Sequence, residues 1–217
     1  MSQDRAEKNA SSTTRADLVG TKLEIAEAAL ETLKTKGYSG SSAREIARTG
    51  DFNQALIFYH FGSVRNLLLA ALDLTSDRRM QAYGQVFEQA QTLPELAQLV
   101  KRTYAEDLEH GYITVLGEMV AAGVTDAELG PAVVARMQPW IDMVEHKVTD
   151  LLTDSPFKAM VPARDLAFGL VSLYLGIDML SHLEGNQSRA KSLLEHGIRL
   201  SAVAGAFLPA KQPEESS

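Results

Sequence analysis

From Lys22 onward, apolar residues recur every three or four positions. Leu23, Ala26, Leu30 and Leu33 fall at helical spacing with charged residues between them. This predicts a first helix with Thr21 as its N-cap and Gly37 as its stop. Ser42 followed three residues later by Glu45 is a capping-box pattern, and it predicts a short second helix with Ile46 and Ala47 turned inward. Gly50-Asp51 breaks the chain. Asn53 then caps a third short helix reaching about His60, and Gly62-Ser63 ends it and opens a long fourth helix over about 64–91. The turn between the second and third helices is too short for antiparallel packing. Two short helices crossing steeply around such a turn form a helix-turn-helix, whose second helix projects from the body.

The remaining chain is also patterned as helix, with no convincing strand alternation and no internal repeat. Helices are expected over about 94–109, 115–122, 130–152, 163–183 and 187–207, with Pro209 as the final stop. The polar first twenty residues are expected to be a disordered arm, whose bases Arg5, Lys8 and Arg15 are balanced by Asp4, Glu7 and Asp17. The expected division is therefore an arm over 1–20, a three-helix domain over 21–66, a helical domain over 67–208 and a disordered tail over 209–217. The fold class is all-α.

Composition removes several chemistries. The 217 residues include no cysteine, which excludes disulfides, thiolate metal sites and cysteine nucleophiles. The 45% hydrophobic content suffices for a real core. No signal peptide is visible, and the apolar stretch 166–177 falls short of the roughly 20 residues that span a bilayer. The expectation is a soluble cytoplasmic protein with no membrane partner. The net charge of −7 is unevenly spread. Residues 1–80 hold 11 Lys/Arg against 10 Asp/Glu, and residues 81–217 hold 10 against 18. An acidic bulk does not forbid nucleic-acid binding by a small front module, because the local patch decides.

Residues 22–72 resemble the TetR family of bacterial transcriptional regulators. The resemblance rests on the run LEIAEAALETLKTKGYSGSS, on AREIA, and on the block LIFYHFGSVRNLLLAAL. It covers about a quarter of the chain. It implies an N-terminal three-helix helix-turn-helix domain followed by a helical ligand-binding and dimerisation domain. It also implies a double-stranded DNA operator, a small-molecule effector and a homodimer, with repression as the common mode. Two positions depart from the family pattern. Gly50-Asp51 stands where the family has Ala-Gly, and Val64 stands where it often has a phosphate-contacting lysine, with Arg65 next.

A helix reads the major groove with small or polar side chains that bond to base edges. Phe52, Ile57 and Phe61 are the expected inward set of the third helix. Asn53, Gln54, Ala55, Leu56, Phe58, Tyr59 and His60 remain more exposed. Gln54 can pair with adenine, and Ala55 or Leu56 can touch a thymine methyl. Tyr59 and His60 can reach phosphate. Phe58 stands where the family commonly has tyrosine, and it packs or touches a methyl instead. Ser41, Ser42 and Arg44 open the second helix, whose N-terminal amides favour phosphate. Arg65 and Lys22 are further phosphate candidates.

One recognition helix reads only a few base pairs, so useful affinity implies a dimer. Gly197, Ser201 and Gly205 form a stripe of small residues in the last helix, and Ser172 and Gly176 form another in the helix before it. Such stripes serve either close packing inside one subunit or a dimer face. By resemblance, the last two helices pair into a four-helix interface. Tyr104, Tyr112, Met137, Trp140, Met143 and Phe168 are candidate ligand-pocket residues, although each alone reads equally as core. Asp178, in an apolar helix, is a candidate polar anchor for that ligand or a dimer-interface residue.

Rival readings remain. A di-iron helical enzyme needs paired Glu-x-x-His motifs. The chain offers only isolated pairs, Asp107/His110, Asp142/His146 and Asp178/His182. No Gly-rich phosphate loop or Gly-x-Ser-x-Gly is present, so no enzyme, metal or cofactor is expected. A helical ligand-binding or interaction protein with a weakened DNA-binding module is the other alternative.

Overall fold

The computed structural model describes residues 18–153, 155, 158 and 161–206. Residues 1–17 of the expected arm and the whole expected tail over 209–217 lie outside the described residues. Nine helices account for almost all of the rest: α1 Thr21–Gly40, α2 Ala43–Gly50, α3 Ala55–Phe61, α4 Val64–Gln89, α5 Leu93–His110, α6 Tyr112–Thr125, α7 Leu129–Leu151, α8 Ala163–Glu184 and α9 Ser188–Gly205.

The first compact unit holds the described residues through 81 together with His110–Gln138. Its core joins Ile25, Leu33, Ile46, Ile57, Leu67 and Met119, one or more from each of α1, α2, α3, α4 and α6. Leu18 is buried in the same core, so chain expected to be arm contributes to packing. Thr21 does not cap α1. It is the first helical residue, and the Gly20 carbonyl accepts the Leu23 and Glu24 amides. Gly37 interrupts α1 at φ 68, and one more turn follows it. That kink is held from outside, since the Glu118 carboxylate of α6 accepts the Tyr38 amide at 2.7 Å.

Local signals in the next two helices operate as read. The Ser42 hydroxyl accepts the Glu45 amide. The Asn53 carboxamide oxygen accepts the Ala55 amide at 2.9 Å. Ser63 likewise accepts the Asn66 amide at the start of α4, which meets α3 at a 70° bend. The Gly50-Asp51 turn splits two tasks between its residues. Asp51 takes the left-handed conformation at φ 52. Gly50 permits close approach instead, because a Cβ there would lie 2.8 Å from the Ala28 Cβ and 2.4 Å from the Phe52 ring.

The helical remainder expected over 67–208 does not form one unit. The second unit comprises Ala82–Glu109 and the described residues from 139 onward. Tyr83, Phe87 and Leu99 form a buried cluster there, with Val86, Leu96, Val100 and Met143 against it. Lys147 is buried, and its ammonium donates to the Glu88 and Ala90 carbonyls at 2.7 and 3.2 Å. It thereby neutralises the negative end of α4.

α8 is apolar over a longer span than the stretch 166–177 suggested. Its best 18-residue window has a mean hydropathy of 1.5 with 17% of that window buried in the chain. By length and composition, α8 is long enough to cross a membrane. It also carries Asp178 in its C-terminal third and leaves Leu170, Leu173, Leu180 and Leu183 exposed along its length.

Candidate functional site

α3 is anchored by Ile57, which is fully buried, while Phe58 and Tyr59 are 51% and 82% exposed. Asn53, Gln54 and Ala55 are also exposed, and His60 is half-buried with its ring edge-on to Tyr59 at 4.9 Å. Phe52 and Phe61 lean onto the core as expected. Leu56 joins them rather than the exposed set. It stands next to Ile57 on a helix of two turns, where one residue of rotation decides which face is covered.

The second helix presents fewer free groups than the sequence suggests. Ser42 is spent on its cap. Ser41 is buried, and its hydroxyl donates to the Gly37 carbonyl at 2.7 Å. Arg44 is exposed and makes no hydrogen bond or ion pair among the described residues. Lys36 and Arg48 both pair with Glu45, at 2.7 and 2.6 Å. Hydrogen bonds from Arg48 and then Lys36 hold the Glu45 carboxyl down to about 2. Lys22 lies 5.9 Å from the Phe61 ring centre. Arg65 is engaged internally, donating to Asp126 at 2.9 Å and to Glu128. Asp126 also caps α7 through the Leu129 and Glu128 amides, and these bonds lead in lowering its pKa.

The candidate ligand residues divide between the two units. Tyr112 stacks on His110 under the Lys34 ammonium, and Met137 packs on the core of the first unit. Tyr104, Trp140, Met143, Phe168 and Asp178 belong to the second unit. Phe168 is 63% exposed. Tyr104 is buried, and its hydroxyl donates to Gln187 at 3.0 Å. It forms one wall of an open groove of about 850 Å³ whose apolar lining includes Val86, Leu99, Leu108, Leu194 and Ile198. Lys101 pairs with Glu195 at the groove's edge at 3.0 Å. Burial is the main cause that pushes the Asp178 carboxyl up, and Asp107 adds to it while His182 opposes it. Burial also pushes Tyr104 up.

Of the small-residue stripes, Ser172 is exposed, and a Cβ at Gly176 or Gly197 would meet nothing within 4 Å. The Ser201 hydroxyl donates to the Ile198 carbonyl at 2.7 Å. Gly205 faces its own chain, where a Cβ would touch Pro94 at 3.5 Å. Leu193, Leu200 and Val203 of α9 are exposed. Among the described residues, no group of three or more His, Cys, Asp or Glu is placed to hold a metal ion.

These elements define an all-α protein with a helix-turn-helix module at its front. Residues 25–71 match the family described as bacterial regulatory proteins, tetR family. The fold agrees along most of the chain with solved structures of such regulators. The fatty acid degradation regulator FadR of Bacillus halodurans is 13% identical, with 84% of this chain and 95% of that one covered at a TM-score of 0.70. Regulatory protein TetR of Rhodobacter sphaeroides is 16% identical, covering 82% and 96% at 0.68. A TetR transcriptional regulator of Legionella pneumophila is 17% identical, covering 87% and 98% at 0.64. No curated protein matches the sequence. Residues 25–71 thus match the tetR family description, and the described helices have the fold that these solved structures share.

Proposed function

We propose that this chain is a homodimeric, sequence-specific DNA-binding transcriptional repressor that leaves its operator when a small molecule binds the second unit. The observation that carries the reading is the exposed face of α3. Gln54, Ala55, Phe58 and Tyr59 stand outside a seam closed by Ile57. Phe58 and Tyr59 join no core cluster among the described residues, and groove contact gives such exposed aromatics a role. In this reading Gln54 reads a base edge, and Arg44, Tyr59 and His60 hold phosphates, with Asn53 orienting the helix start. Ser42 presents the α2 amides, and Lys22 lies at the flank.

The apolar outer face of α8 and α9 supports the dimer. Open space at Gly176 and Gly197, beside exposed leucines, suits close approach of a second copy. The same covering accounts for the length of apolar surface on α8. Trp140, Met143 and Tyr104, all of the second unit, are the ligand residues this reading keeps together, and Tyr104 lines the groove. The effector acts only through its difference in affinity for the DNA-binding and released conformers.

Arg65 favours a second reading, a ligand-binding protein with a weakened DNA module, because its charge is taken by Asp126 and Glu128. Selection of genomic fragments by the full-length protein at several salt concentrations separates the two. The regulator reading expects a reproducible fragment with steeply salt-dependent affinity. A protein that selects nothing at low salt contradicts it.

A further inference from the structure

The interior of the second unit holds two buried acidic groups, one of them with an unpartnered oxygen. Asp107 on α5 is fully buried, and Asp178 on α8 is 3% exposed. The Tyr174 hydroxyl donates to Asp107 at 2.7 Å, and Tyr104 shares a hydrogen bond with Ser181. These two links run α5 and α8 antiparallel along one seam. Thr103 lies one helical turn before Asp107, on the same face of α5. Asp178 lies one turn after Tyr174, on the same face of α8. Asp178 Oδ1 and Thr103 Oγ1 are both buried and bonded to nothing. A buried carboxylate and a buried hydroxyl without partners are each costly. His182, which favours ionisation of Asp178, is exposed, and Asp107 opposes that ionisation.

We infer that this seam is a binding site for a primary ammonium group, with Asp178 Oδ1 and Thr103 Oγ1 accepting two of its N–H bonds. Asp178 supplies the counter-charge. The rings of Tyr104 and Tyr174, edge to face at 5.5 Å, wall the site and favour a cation. Primary ammonium fits better than a divalent metal ion. The donors are two carboxylates and a hydroxyl, whereas hard divalent ions take six or more oxygens. An ammonium carries three directed N–H groups. Tyr104 borders both the seam, through its ring contact with Tyr174, and the groove lined by Val86, Leu99, Leu108, Leu194 and Ile198. That lining suits an alkyl or aryl body. The ligand class is therefore an amphiphilic primary amine, held with its head at Asp178 and its body in the groove.

Its regulatory meaning rests on the effector reading above, but the binding does not. The test is isothermal titration of the full-length protein without DNA. Hexylammonium chloride is the probe, and hexanol, hexyltrimethylammonium and magnesium chloride are the comparisons. The expected result is hexylammonium binding that weakens at least tenfold in Asp178→Asn and several-fold in Thr103→Val. Hexanol and the quaternary ion should bind at least tenfold more weakly than hexylammonium. Asp178→Asn should fold, by circular dichroism, with an unchanged or higher melting temperature. If it does not fold, Thr103→Val and the probe series decide. Equal binding by the variants, equal binding of hexanol, a response to magnesium alone, or no binding at all overturns the site. Binding without operator release overturns the effector role for amines and leaves the site standing. Release by an unrelated compound, with no amine binding, overturns the site and leaves the regulator reading standing.

Discussion

The Glu118 carboxylate accepts the Tyr38 backbone N–H at 2.7 Å, across 80 positions of sequence. It sits against the kink at Gly37, whose φ of 68 turns the chain from α1 toward α2. One acidic side chain of α6 thus fixes the corner that sets the helix-turn-helix. A charge-assisted bond to a backbone amide is worth about 1.5–3 kcal/mol. Glu118→Ala is expected to lower unfolding free energy in urea by that order and to speed hydrogen exchange at the Tyr38 amide. Unchanged exchange there would contradict the role.

The divided turn at Gly50-Asp51 predicts opposite effects from neighbouring substitutions. Gly50→Ala forces a methyl against Ala28 and Phe52, which costs about 1–3 kcal/mol. Asp51→Gly relieves a left-handed residue and is expected to stabilise by up to about 1 kcal/mol. Urea midpoints of the two variants check this, and a destabilising Asp51→Gly would refute it.

Asp73 of α4 and Arg136 of α7 form a buried pair. Nη2 donates to Asp73 at 3.1 Å, and Nε lies 2.8 Å from the other carboxylate oxygen, off hydrogen-bond geometry. Removing one member leaves a buried charge, so Arg136→Met is expected to cost about 3–5 kcal/mol. The double variant Asp73→Leu/Arg136→Met should recover most of that loss. Thermal or urea unfolding of the cycle measures the coupling.

Asp178 gives a dependence on pH. Its carboxyl is raised above 3.8 by burial first and then by Asp107, with His182 acting the other way. The folded state therefore holds this proton more tightly than the unfolded chain. Its contribution is fully present below 3.8 and is lost as pH rises through the raised value. Wild-type stability should fall relative to Asp178→Asn across that window. Parallel stability curves for the two proteins would contradict the assignment.

Much of this architecture was legible in local patterns, because short-range chemistry controls it. The Ser42–Glu45 cap, the Asn53 start and the Ser63 opening of α4 each act within three residues. Asp178 stood out as a charge in an apolar helix. Its nearness to Asp107 did not, because α5 meets α8 only through tertiary packing. The Glu118–Tyr38 and Arg65–Asp126 links were hidden for the same reason. Leu56 was placed on the wrong side because two turns of helix give too little periodicity to fix a face. Gly205 carried a small-residue pattern, but its face is turned to Pro94 of its own chain.

The central claim is that α3 reads bases while α2 holds the backbone. The direct measurement is the affinity of wild type, Gln54→Ala and Arg44→Ala for the selected fragment and its single-base variants, each across a salt series. Gln54→Ala is expected to lose about 1–3 kcal/mol of preference at one base position with an unchanged salt slope. Arg44→Ala should weaken all sequences alike and flatten the slope by about 1. Wild-type affinity and slope in both variants, or the two effects exchanged, would contradict the account.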